Sequence, residues 1–327
     1  MSEWLGRDDH MSYDNAKRAS GTAMKTGIQT IHAELIAVLV AVTGSVPRVL
    51  TLADGSALPA GPLELTHRSL QAGVRAWVER QTHHPLGYIE QLYTFADPTR
   101  GATVAGDQAE RSISISYLGL TREIASGGDT VSWQDIYRYF PWEDRRSDPT
   151  LIERTIRAEM GRWIGTSAER AARVNACFGL DGSPWNEDLA LSRYELLYEM
   201  GLVREAARDG QSNGGEFIPG TMMHADHRRI LATALSRLRA KIKYRAIVYE
   251  LMPESFSLLE LQRCVEALAG QRLHKSNFRR LLASQNLLEE TAHYAPGVGR
   301  PAKLFRFRAA LLAERAIAGT RLPIARP

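Results

Sequence analysis

Two cysteines in 327 residues are too few for a disulfide framework, and Cys177 and Cys264 lie far apart in the chain. They are expected as reduced thiols of a cytoplasmic protein. Long apolar runs are missing as well. The longest, LIAVLVAV at residues 35–42, falls far short of the roughly 18 to 20 residues of a membrane span, so no membrane partner is expected. Residues 1–27 lack the apolar stretch of a secretion signal; polar and mixed in charge, they read as a disordered tail. A Gly-rich phosphate loop, a Ser-His-Asp grouping, paired cysteines and internal repeats are all lacking, which argues against P-loop, triad-hydrolase and repeat classes.

What is present is apolar material in quantity and charge of uneven placement. At 44% apolar residues a chain of this length can bury more than one core, so two or more domains are expected. The net charge of +4 hides a division, because residues 225–327 hold 19 Lys and Arg against 8 Asp and Glu, whereas residues 1–224 hold 22 against 29. Basic charge gathered in the last third points to a module for a polyanion.

That third opens with HADHRRILATALSRLRAKIKYRAIVYELMP, residues 224–253, where Leu231, Leu235, Leu238, Ile242 and Tyr249 recur at helical spacing. The pattern predicts one long helix, capped by Asp226 and ended by Pro253, serving as a connector or dimer seam; a core helix of the preceding domain is the other reading. FSLLELQRCVEALAG follows, with Ser257 and Glu260 spaced as a capping box and Gly270 as the stop. In LHKSNFRRLLASQNLLEE, residues 273–290, Phe278, Leu281, Leu282 and Gln285 share one side of a second helix, while Ser276, Arg279, Arg280 and Ala283 share the other. A major groove of about 12 Å admits such a helix, and arginine forks match guanine O6 and N7. Lys275, Ser276 and Asn277, at the helix start, are placed for base edges or phosphates. Beyond them Leu304, Phe305 and Phe307 alternate with Lys303, Arg306 and Arg308 after a Gly- and Pro-containing loop, which predicts a hairpin. Helix, turn, helix and basic hairpin make a winged helix-turn-helix, with Arg300 and Lys303 presented by the wing.

The segment carrying F-S-L-L-E-L-Q, N-F-R-R and G-R-P-A-x-L-F-R-F in order resembles the C-terminal domain of Nudix-related transcriptional regulators of NAD metabolism, of NrtR or NadQ type. The likeness covers about fifty residues. It departs at His274, where the family usually has an acidic helix cap. The resemblance implies an α+β protein with a Nudix-like sensor in front. It also implies repression of NAD biosynthesis or salvage genes in response to NAD, ADP-ribose or ATP, with no cofactor required. Two-fold symmetric modules reading a palindromic operator imply a homodimer.

The front of the chain can be read against that expectation. HAELIAVLVAV, PRVLTL, GYIEQLYTFA and RSISISYLGLTRE have strand character and enclose one helical stretch, THRSLQAGVRAWVERQT. Registering a Nudix box on Gly61 leaves only Gly61, Arg75 and Glu79 in place, with His67, Ala76, Arg80 and Thr82 at the other box positions. A single carboxylate cannot supply the oxygen ligands magnesium requires, so a binding pocket without catalysis is expected. An active Nudix hydrolase with an accessory DNA-binding tail is the rival reading. Arg48, Arg75, Glu79, Tyr93, Phe95 and Tyr117 are the candidate effector-binding residues. His224, Asp226 and His227 have metal-ligand types, but their place at a helix start favours capping, and no metal site is expected. The expected division is a Nudix-like domain over 28–223 with a helical insertion at about 123–210, a connecting or dimer helix at 224–252, and a winged helix-turn-helix at 253–315.

Overall fold

The computed structural model describes residues 31–87, 89–96, 111–124, 130–147, 150–211, 214–243, 247–295 and 301–308. The predicted tail and Arg300 lie outside them. Strands β1 (Ile31–Thr43) and β2 (Val46–Leu52) form an antiparallel pair. Gly44 and Ser45 both take positive φ, 59° and 66°, as a primed two-residue hairpin turn requires. β3 (Ala60–Pro62) pairs with β1, and β4 (Ile89–Phe95), β5 (Arg111–Leu120) and β6 (Val131–Asp135) complete the sheet in the order β4-β5-β1-β2-β6. β1 and β5 run parallel, with Leu35 opposite Ile115 and Val40 opposite Leu120.

The apolar run of β1 is continuous because both faces of the sheet are covered. Leu35, Ala37, Leu39 and Ala41 pack beneath Val74 and Val78 of α1 (Leu70–Thr82). Ile36, Val38 and Val40 join the main core on the opposite face, shared with α2 (Thr150–Ile164), α3 (Ala168–Phe178), α4 (Ala190–Glu199), α5 (Arg204–Arg208) and α6 (His227–Ile242). α4 closes as expected at Gly201, whose φ of 70° lets the Leu202 amide reach the Leu197 carbonyl at 2.9 Å.

Two expectations need correction. The insertion predicted at about 123–210 is not wholly helical, since Val131–Asp135 is a sheet strand that sets Trp133 opposite Leu50. Val131 and Trp133 alternate with Ser132 and Gln134, but two apolar positions are too few to separate a strand from a loop. The single helix expected over 224–252 ends at Ile242, and a 3-10 turn at Ile247–Leu251 follows. Asp226 stands at the N-cap position, but its carboxylate accepts from Arg229 (3.1 Å) and caps nothing. Of the two readings of α6, core helix fits the structure: His227, Arg228, Leu231, Leu235, Leu238 and Ile242 are among its many buried residues. The His224, Asp226, His227 triplet holds structure together differently from either reading, for buried His227 Nδ1 accepts from the Leu58 amide at 2.9 Å. Burial holds that imidazole neutral, with its pKa lowered to about 3.

The C-terminal module comprises β7 (Phe256–Ser257), α7 (Leu258–Ala269), α8 (Lys275–Gln285), β8 (Leu288–Ala295) and β9 (Ala302–Phe307), its sheet ordered β7-β9-β8. The predicted capping box is present in both directions, Ser257 amide to Glu260 at 2.6 Å and Glu260 amide to Ser257 Oγ at 3.2 Å. Phe256, Val265, Leu268, Phe278 and Leu282 belong to the same core as Leu231 and Val248, so the apolar interior passes from the front domain into this module without a break.

Candidate nucleic-acid interface and sensor cleft

α8 is amphipathic in the sense the sequence predicts. Phe278 (2% exposed) and Leu282 (4%) are seated in the core, whereas Lys275, Ser276, Asn277, Arg279 and Arg280 are exposed. Arg280 Nη2 donates to Asn277 Oδ1 at 3.1 Å, which orders both on the outer face. Lys275 and Arg279 have no hydrogen bond or ion pair among the described residues. His274 occupies the N-cap position without a side-chain cap bond; its Nδ1 instead lies 2.9 Å from Ser276 Oγ. The wing is less basic than its sequence suggests. Lys303 pairs with Glu290 and Arg306 with Glu289 across the hairpin. The hydrogen bond to Glu290 holds the Lys303 ammonium above its ordinary pKa.

In the front domain, β3 and α1 form a tight strand-loop-helix unit. A Cβ on Gly61 would come within 2.2 Å of the Trp77 indole, so this position admits only glycine. Trp77 Nε1 donates to the Pro62 carbonyl at 2.9 Å, and the Gln81 amide brackets Ala60, accepting from its N–H (3.1 Å) and donating to its carbonyl (2.8 Å). Arg75 is spent on the carbonyls of Leu86 and Gly87, the latter at 2.9 Å. Arg80 lies 4.4 Å over the Trp77 ring and 3.8 Å from Glu64. His67 Nδ1 accepts from the Glu64 amide at 3.1 Å. Glu79 is exposed and is the single carboxylate of α1. A divalent cation needs several carboxylate oxygens in a near-octahedral set, and these residues do not fit one. Among the described residues no group of three His, Cys, Asp or Glu is placed to hold a metal.

The six predicted effector residues do not converge. Arg48 on β2 donates to the Trp133 carbonyl (3.2 Å) and lies 3.5 Å from Glu123. Tyr117 is 1% exposed, packed in the core beneath α1, where its hydroxyl reaches Gln91 Oε1 at 3.4 Å. Phe95 packs against the opposite core, under the Arg229 guanidinium at 4.7 Å, and exposed Tyr93 leans toward it with ring centroids 6.4 Å apart. The register shift between Gln91 and Thr94 breaks the alternation that would have placed β4 side chains correctly from sequence. Tyr117 is thus a core residue and half-buried Phe95 packs on the opposite face; Arg48, Arg75 and Glu79 remain on the α1 side.

Residues 248–307 match the family model of the NrtR DNA-binding winged helix domain. The C-terminal module is a winged helix. The chain is 40% identical over 82 residues to the ADPR responsive transcriptional repressor NtrR of Acinetobacter baylyi, a match covering 25% of this chain and 33% of that protein. It therefore spans about a third of the relative's length. In fold, the chain is similar to Shewanella oneidensis NrtR complexed with a 27mer DNA, with a TM-score of 0.52, 19% identity and coverage of 88% of this chain and 99% of that one. A MutT/nudix family protein from Enterococcus faecalis is similar with a TM-score of 0.50 and 15% identity, covering 86% of this chain and 87% of that one. The architecture is a Nudix-like front domain followed by a winged helix.

The winged helix is fastened to the front domain by a buried ionic network that the sequence reading missed. Glu143, in the 3-10 turn Pro141–Glu143, accepts from Arg193 of α4 at 2.5 and 2.8 Å and from Arg239 of α6, all three side chains fully buried. Burial pushes the Glu143 pKa up, but the two guanidiniums outweigh it and hold the carboxyl below its usual value. Arg239 also donates to the Leu268 carbonyl (2.9 Å) at the end of α7, and the Tyr137 hydroxyl donates to the Ala267 carbonyl (2.5 Å). Burial raises the Tyr137 pKa to about 12, which keeps the hydroxyl a donor. The Arg145 amide completes the joint by donating to Gly270 at 2.6 Å. A signal existed: Arg228 and Arg239 fall in helical register with Leu231, Leu235 and Ile242, but counting arginine as polar concealed it.

Proposed function

We propose that this chain is a DNA-binding transcriptional repressor of NAD biosynthesis or salvage genes that responds to an adenine nucleotide, ADP-ribose first among NAD, ADP-ribose and ATP. The observation that carries the reading is the outer face of α8: Lys275, Ser276, Asn277, Arg279 and Arg280 stand exposed on a helix whose other side is anchored by Phe278 and Leu282. Such a helix places charged forks toward a major groove while its packing fixes the angle of approach. The matching winged-helix family and the name of the Acinetobacter baylyi relative support DNA and ADP-ribose as ligands. A homodimer reading a palindrome follows from the small footprint of one recognition helix. Arg300 and Lys303 of the wing are assigned to the DNA backbone.

In this reading the front domain binds nucleotide on the α1 side, through Arg48, Arg75 and Glu79, and does not hydrolyse it. The lone carboxylate of α1, with Arg75 and Arg80 beside it, favours a phosphate over a divalent cation. Coupling to the reading head would pass through Glu143, Arg239 and the end of α7. The test selects bound duplexes from a random pool with the full chain and then titrates ADP-ribose, NAD and ATP against the selected duplex. A specific duplex and a shift of about fivefold or more with one nucleotide are expected. No shift with any of the three removes the sensor role, and AMP formed from ADP-ribose and magnesium restores the hydrolase reading.

A further inference from the structure

We propose that Arg272, in the turn between α7 and α8, grips a DNA phosphate and is aimed at it by the front domain through the Arg146 carbonyl. The proposal rests on the DNA-binding reading and adds to it a contact, and a means of controlling that contact, outside the residues assigned there.

The turn is rigidly built. Gly270 closes α7 with a φ of 71°, and the Arg145 amide holds its carbonyl at 2.6 Å. Leu273 is pinned on both sides, its amide donating to Glu266 Oε1 at 2.9 Å and its carbonyl accepting from Gln262 Nε2 at 3.0 Å. Arg272 stands exposed between these fixed points. Its Nε donates to the Arg146 carbonyl at 2.7 Å, and neither Nη has a hydrogen bond or ion pair among the described residues. A guanidinium carries five N–H donors in one plane, so anchoring Nε leaves the edge formed by Nη1 and Nη2 as a free fork.

Such a fork matches a carboxylate or a phosphate, and its position decides between them. α8 begins at Lys275, and residues at the start of a recognition helix contact base edges. The chain leading into that start passes the lip of the groove, where phosphates lie within reach of a long side chain. Exposed Lys275, without a partner among the described residues, extends the same positive approach.

The anchor belongs to the front domain and is itself held. Arg146 donates through Nε and Nη2 to Asp144 at 2.8 and 2.9 Å, and through Nη1 to the Ser45 carbonyl at 2.5 Å, in the turn between β1 and β2. An exposed arginine ordinarily gives up rotamer freedom when it binds, and here part of that freedom is restricted before DNA arrives. A shift of the front domain at this turn swings the fork, so Arg272 makes front-domain geometry a part of DNA affinity.

The test measures the affinity of the full chain for the duplex it selects, and for an unrelated duplex, across a salt series. Arg272→Gln is expected to keep the unfolding temperature, to weaken both duplexes by about tenfold, and to lower the slope of log affinity against log salt by about one. Arg146→Gln loosens the anchor. It is expected to weaken the selected duplex in the wild-type background and to add nothing in the Arg272→Gln background, as for one residue acting through another. An unchanged slope in Arg272→Gln, or a loss confined to the selected duplex, overturns the phosphate contact. Equal losses for Arg146→Gln in both backgrounds overturn the aiming by the front domain. A wild type that prefers no duplex overturns the DNA-binding reading and this proposal with it, whereas wild-type selectivity with an unchanged Arg272→Gln slope overturns this proposal alone.

Discussion

The arginines of α6 and those of α8 lie in the same basic third of the chain and have opposite fates. Arg228 and Arg239 of α6 are buried to 1% and 0% exposure, each against a carboxylate and backbone carbonyls. Arg279 and Arg280 of α8 stand in solvent. The guanidinium is suited to both, because its planar fork satisfies several acceptors at once and its charge persists in either place. A surplus of basic residues therefore does not measure a polyanion-binding surface until burial is known. Much of the excess here is consumed internally, and α8 carries three of the basic residues left exposed, Lys275, Arg279 and Arg280.

The comparison can be broken at its buried end first. Glu143→Gln is expected to destabilise the full chain by about 3 to 5 kcal/mol, since it strands two buried guanidiniums with no counter-charge, and calorimetric unfolding would read it. The folded carboxyl has a lowered pKa, so its contribution is complete above the ordinary value of 4.5 and fades as pH falls below it. The variant is expected to lose that part of the acid sensitivity; an unfolding profile against pH identical to wild type would deny the network its role. At the exposed end, Arg279→Ala is expected to leave unfolding unchanged and to cost about 1 to 3 kcal/mol of affinity for a specific duplex. Unchanged affinity for that specific duplex in the variant would move recognition off α8.

The smallest effect is expected in the wing. A lysine touching phosphate freely would change the slope of log affinity against log salt by about one when removed. Lys303 is already paired with Glu290, so Lys303→Ala is expected to change the slope by clearly less. Glu290→Gln sharpens the contrast, because freeing Lys303 should steepen the slope.

Legibility in the sequence followed the strength of local signals. The strands at 31–52 and 89–120, α1, the capping box of α7 and the buried side of α8 were readable because period and cap chemistry agreed with the final packing. The strand at Val131–Asp135 was not, being short, with only Val131 and Trp133 to mark its buried side. α6 misled because its arginines face inward, which a binary division into apolar and polar residues cannot express. Effector residues were the least legible: a bulge in β4 reversed the side on which its aromatic residues lie, and Tyr117 proved to be part of the core.

Gly270 marks the elbow between the two helices of the reading head, and a methyl group there would lie 2.2 Å from the Glu143 carbonyl oxygen. Such a joint has no slack. A strut set this close to a pivot passes on small displacements where a longer tether would absorb them, so the winged helix follows the front domain closely at this glycine.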